Sequence, residues 1–124
     1  MNMKATGNII VDLTFQFSLD ILELTDKLEK MRKYAIANQL TRSGTSIGAN
    51  VREAQSSESV KDFVHKLKIS EKELEETEYW LDLCKHSDLL PDPGRLIEDL
   101  KPIKRVLGKI ISTSKKRINE PTKN

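Results

Sequence analysis

The sequence predicts an all-α protein, an antiparallel up-down-up-down four-helix bundle formed as one domain over residues 1–124. Three observations predict it. Apolar residues recur at steps of three and four along four separate segments, and no alternation of strand length competes with them. The segments are joined by short stretches of helix-breaking residues, which forces neighbours to run antiparallel. The composition, with 37% hydrophobic and 32% charged residues, five glycines and four prolines, suits a soluble helical chain.

Segment one spans about residues 9–32, with Ile10, Leu13, Phe17, Ile21, Leu24, Leu28 and Met31 along one stripe. Segment two, about 34–54, repeats the spacing through Ile36, Leu40, Ser43, Ile47, Asn50 or Val51, and Ala54, a thinner stripe with small residues in it. In "SSESVKDF" either Ser57 or Ser59 can cap segment three, and Asp62 three residues after Ser59 completes a near capping box. Segment three runs over about 59–87 through Val60, Phe63, Leu67, Ser70, Leu74, Thr77, Leu81 and Cys84. "SDLLPDPG" ends it, and Asp92–Pro93 reads as the cap and first residue of segment four, about 93–117. There Leu96, Leu100, Ile103, Leu107 and Ile110 form the stripe, Pro102 is expected to kink it, and residues 118–124 are expected to be a flexible tail.

Segment two holds an oddity. "ANQLTRSGTSIGANVREAQ" carries Gly44 and Gly48 inside a helix, where each glycine costs about 1 kcal/mol relative to alanine. In a bundle, small residues at Ser43, Gly44 and Gly48 let a neighbouring helix approach closely. A phosphate cradle would need a glycine-rich loop after a strand and a P-loop lysine, and neither is present.

The same stretch resembles a known family. "QLTRSGTSIGANVREAQ" followed by "DFVHKLKISEKELEETEYWL" is similar to the pattern of the bacterial four-helix bundle proteins. These include proteins encoded in intervening sequences of large-subunit ribosomal RNA genes, and accessory proteins of diversity-generating retroelements are related to them. Gln39, Arg42, Ser43, Ser46, Ile47, Asn50, Glu53 and Ala54 match the second-helix pattern, and Phe63, Lys72, Glu73, Glu76 and Trp80 match the third. The similarity covers roughly residues 10–115. It implies an up-and-down bundle, assembly into homopentameric rings and no known enzymatic activity. For the retroelement branch it implies a positively charged surface that binds RNA and contacts a reverse transcriptase.

The residues themselves offer no catalytic set, no cofactor motif and no metal site. A di-iron bundle needs paired Glu-x-x-His motifs, but the only histidines are His65, three residues after Asp62, and His86, which has no carboxylate at that spacing. Glu71, Glu75 and Glu78 share a helix face with Lys68 and Lys72 close by, the pattern of a solvated ion-paired surface. The lone Cys84 falls on the core stripe, which excludes an internal disulfide and suits the cytoplasm. Asp12, Gln16 and Asp20 interrupt the N-terminal apolar run, so no membrane association is expected.

Two features point to partners. Phe15, Leu19 and Leu22 fall opposite the main stripe of segment one, and Ile69, Trp80 and Leu83 do so on segment three. These six residues are expected to form one contiguous apolar patch that drives self-association. The net charge is only +2, but Lys101, Lys104, Arg105, Lys109, Lys115 and Lys116 share one side of segment four, with no acid on that helix after Asp99. Such a face contacts phosphate backbones by counterion release. The expected function is therefore a homo-oligomeric scaffold, pentameric as the family resemblance implies, that binds RNA or another nucleic acid through segment four. The alternative is a protein–protein adaptor working through acidic segment three or Trp80.

Overall fold

A computed structural model describes residues 5–119 of the chain. It contains four helices, α1 (Ile9–Lys30), α2 (Tyr34–Ala54), α3 (Val60–His86) and α4 (Leu96–Asn119), and no strand among the described residues. Each helix packs on its sequence neighbours, and α4 closes the bundle on α1 through the thinnest of the four contacts. α1 and α3 lie across the bundle from each other, with no Cα atoms of the two within 8 Å.

The helix ends follow local chemistry. Asn8 caps α1 by accepting the Val11 N–H at 3.3 Å, and Asp12 in the first turn accepts both the N–H and the hydroxyl of Thr6. α1 stops two residues before the expected end because Arg32 adopts φ 61°. The Lys33 N–H then reaches back to the Leu28 carbonyl at 2.8 Å and the Arg32 N–H to Glu29 at 2.9 Å, a Schellman closure built on a non-glycine residue. Of the two candidate caps, Ser57 and Ser59, it is Ser59 that caps α3 and accepts the Asp62 N–H at 3.0 Å. The Ser57 hydroxyl is buried without a partner.

α4 starts later than the sequence suggested. Asp92 accepts the N–H of Gly94 at 2.8 Å, and Gly94 has φ +63°. That turn uses up the Asp92 side chain, so the helix begins at Leu96. It continues through Pro102, and Ile118 and Asn119 belong to it rather than to a tail. The remaining tail residues, 120–124, lie outside the described residues.

The core contains Phe17, Ile21 and Leu28 of α1, Leu40 and Ile47 of α2, Leu67, Leu74 and Leu81 of α3, and Leu100, Ile103 and Leu107 of α4, each almost fully buried. Burying one such side chain is worth about 1.5–3 kcal/mol. Between α2 and α3 the core is polar and paired. Ser70 donates to the Ile47 carbonyl at 2.8 Å, and the Thr77 hydroxyl lies 3.0 Å from that of Ser43. Unpaired, these hydroxyls would each cost energy, so the pairing fixes how α2 and α3 align.

The two glycines of α2 face α1. A Cβ at Gly44 would stand 2.8 Å from Cγ1 of Ile21, and one at Gly48 would stand 3.2 Å from the carbonyl oxygen of Thr14. The first contact is with a side chain and the second with the backbone. Ser43 points the other way, to Thr77 on α3.

Candidate nucleic-acid interface and assembly surfaces

All six basic residues of α4 named from the sequence are exposed, but they are not equivalent. Lys101 is held by Glu98 on its own helix at 2.9 Å, which also keeps the Glu98 carboxyl below its usual pKa, by hydrogen bonding first and charge second. Lys104 reaches Glu78 of α3 at 3.4 Å. Arg105, Lys109, Lys115 and Lys116 have no carboxylate within 4.0 Å among the described residues. Lys115 and Lys116 border a shallow trough between α3 and α4, with Gly108 and Ser112 on the α4 side and Lys68 and Glu71 on the other. Lys68 is bound to Glu71 at 2.8 Å, and that hydrogen bond raises its pKa.

Four acids of α3 are drawn into ion pairs. Glu71 holds Lys68 and Glu78 holds Lys104. Glu73 and Glu76 both hold Arg42 of α2, and Glu76 in addition accepts the Trp80 indole N–H at 3.1 Å. Sequence matching picked out Arg42, Glu73, Glu76 and Trp80 separately. The structure joins them into one cluster that ties α2 to α3. No group of three or more His, Cys, Asp or Glu side chains able to hold a metal occurs among the described residues. Cys84 is buried, and burial raises its pKa. No described helix is long and apolar enough to cross a membrane.

The outer apolar stripes differ from expectation. Phe15, Leu19, Leu22 and Leu83 are exposed, but Ile69 and Trp80 are only partly so, and Trp80 packs against the core. Nor do the six residues form one patch. α2 stands between the two stripes, with Arg52 lying 5.3 Å over the Phe15 ring on one side and Arg42 engaged with the Glu76–Trp80 pair on the other. Helical spacing shows each stripe in the sequence, but not which neighbour it leans toward. Two further apolar features carried no flag in the sequence. Tyr79, 58% exposed, sets its ring edge to face against Trp80 with centroids 5.1 Å apart. On α4, Ile110 was expected on the core stripe, but Ile111, four residues after Leu107, takes the buried position, and Ile110 with Val106 lines an open groove of about 490 Å³ between Arg105 and Lys109.

The chain was compared with known proteins. No match is found among curated proteins. Among solved structures it is similar to a protein of unknown function from the S23 ribosomal protein family of Bacteroides thetaiotaomicron, at 37% identity and a TM-score of 0.77. That alignment covers 82% of this chain and 97% of the other. The family model for 23S rRNA-intervening sequence proteins matches residues 7–109. With four helices and a family match over most of its length, the chain belongs to the 23S rRNA-intervening sequence protein family.

Proposed function

We propose that the chain is a non-enzymatic, cytoplasmic homo-oligomeric scaffold, a pentamer, that binds RNA or another nucleic acid through the basic face of α4. One observation carries the nucleic-acid part. Arg105, Lys109, Lys115 and Lys116 stand exposed on one helix with no carboxylate within 4.0 Å among the described residues. Cations already paired must break a contact to take a phosphate, whereas these need only shed counterions. Repeating the face in an oligomer multiplies the effective concentration of sites without new contacts. α4 carries no aromatic residue between Leu96 and Asn119, so binding is through the backbone and tolerant of sequence. The number five comes from the family resemblance, and self-association is supported by the exposed Phe15, Leu19 and Leu22.

Filter binding of single- and double-stranded RNA at low and moderate salt tests this. Binding should weaken as salt rises, and Lys115→Glu with Lys116→Glu should weaken it further and reduce the slope of log K against log salt by about one per lost contact. Absence of binding at low ionic strength would transfer the function to a protein adaptor. That second reading is favoured by Tyr79 and Trp80, an aromatic pair with one ring mostly in solvent.

A further inference from the structure

Two helices of this chain carry surface rows of the same length flanked by opposite charge, one exposed on α1 and one on α4 made of two partly buried apolar residues and an exposed threonine. On α1, Phe15, Leu19 and Leu22 occupy positions i, i+4 and i+7. On α4 the open groove takes its floor from Val106, Ile110 and Thr113, again i, i+4 and i+7. Each row is therefore about 10 Å long at 1.5 Å per residue. α1 from Ile9 to Asp26 carries Asp12, Asp20, Glu23 and Asp26 and no base. Asp12, Glu23 and Asp26 lie three or four residues from members of the row, hence beside it. α4 after Asp99 has no acid up to Asn119, and Arg105 and Lys109 form the rims of its groove.

The two rows cannot satisfy each other inside one molecule. The groove is lined by α4 residues alone, although α1 is the adjacent helix, and the α1–α4 contact is the thinnest in the bundle. The α1 row is turned toward the opposite flank, where Arg52 of α2 covers Phe15. We infer that the α4 groove receives the α1 outer row of a second copy of this chain, with the acids of α1 against Arg105 and Lys109. This rests on the self-association proposed above and specifies its interface. Because the two surfaces differ, the contact is head-to-tail, and repetition gives a closed ring or an open filament rather than a two-fold dimer. This contact withdraws Arg105 and Lys109 from the nucleic-acid face proposed above and narrows that face to Lys115 and Lys116, which lie outside the groove.

A complementation experiment tests the pairing. Leu19→Asp ruins the α1 row and Ile110→Asp the α4 groove, and each variant keeps the other surface. Light scattering at micromolar concentration should show an oligomeric parent, two monomeric variants that remain helical by circular dichroism, and a one-to-one complex when they are mixed. If the parent assembles and Ile110→Asp assembles equally well, the groove is not the interface, although self-association stands. Two monomeric variants that fail to combine also overturn the pairing, and a monomeric parent overturns the pairing and the self-association together. Ile110 is partly buried, so a surface variant supplies an independent check. Arg105→Glu with Lys109→Glu should weaken assembly by about tenfold or more, and Glu23→Lys with Asp12→Lys in the same chain should restore it. Unchanged assembly in the first double variant, or no recovery in the second, counts against the pairing.

Discussion

Gly44 of α2 lies directly against Ile21 of α1, so that a single added carbon would come within 2.8 Å of Cγ1 and 2.9 Å of Cγ2. Ile21 is fully buried and has no free direction in which to retreat. Gly44→Leu is therefore expected to destabilise the fold by about 1–3 kcal/mol or more, seen as a lower urea midpoint. Gly108 of α4 is the contrasting case, since a Cβ there meets nothing within 4 Å. Gly108→Ala should raise stability by about 0.5–1 kcal/mol through helix propensity alone. A loss of stability at Gly108 would show that its backbone needs the freedom of glycine.

Arg32 holds a left-handed backbone at φ 61° to close α1. For a residue with a Cβ this costs on the order of 1 kcal/mol. Arg32→Gly is expected to stabilise the protein by several tenths to about 1 kcal/mol, and thermal melting is sufficient to read it. The gain is limited because glycine also loosens the unfolded chain.

The Arg42 side chain is about half exposed at 49%, which limits what its two ion pairs contribute. Arg42→Ala should cost about 1 kcal/mol. Part of that cost is repulsion between Glu73 and Glu76, which lie three residues apart and lose their shared cation. Trp80 is the only tryptophan and bonds to Glu76, so its fluorescence should shift in Arg42→Ala and in Glu76→Gln. An unshifted spectrum in both variants would mean that the indole is held by packing alone.

Cys84 is 2% exposed, and burial raises its pKa. The thiol form is favoured in the folded state, and alkylation must wait for opening. Native protein should react with a thiol reagent about a thousandfold more slowly than protein in denaturant, with the rate rising as the fold is destabilised. The variants above can therefore be ranked independently by Cys84 labelling.

The helices were legible in the sequence because their apolar steps of three and four are long and unbroken, as from Ile10 to Leu28. Their ends were legible only where a side chain announces them. Ser59 with Asp62 marks the start of α3, whereas nothing about Arg32 signals a left-handed residue. Asp92 was misleading because its carboxylate is a good partner for a turn as well as for a helix, and Gly94 took it for the turn. The basic face of α4 was legible as a charge run. Its division into paired and unpaired cations was only half so, since Glu98 sits three residues from Lys101 but Glu78 meets Lys104 only through packing. Sequence periodicity gives the angle of a residue on its own helix. The angle between helices decides whether two stripes become one patch, and here α2 keeps them apart.

The thin seam between α1 and α4 also bears on the order in which the molecule forms. The α1–α2 and α2–α3 contacts join neighbours across short turns, so little loop entropy is lost in making them. The contact between the two chain ends spans most of the sequence and offers the least in return. A three-helix nucleus of α1, α2 and α3 would assemble first, and α4 would dock last against α3. In native-state hydrogen exchange the amides of α4 should open together at a lower free energy than those of α2, leaving the helix with the exposed cations as the one most readily lifted from its neighbours.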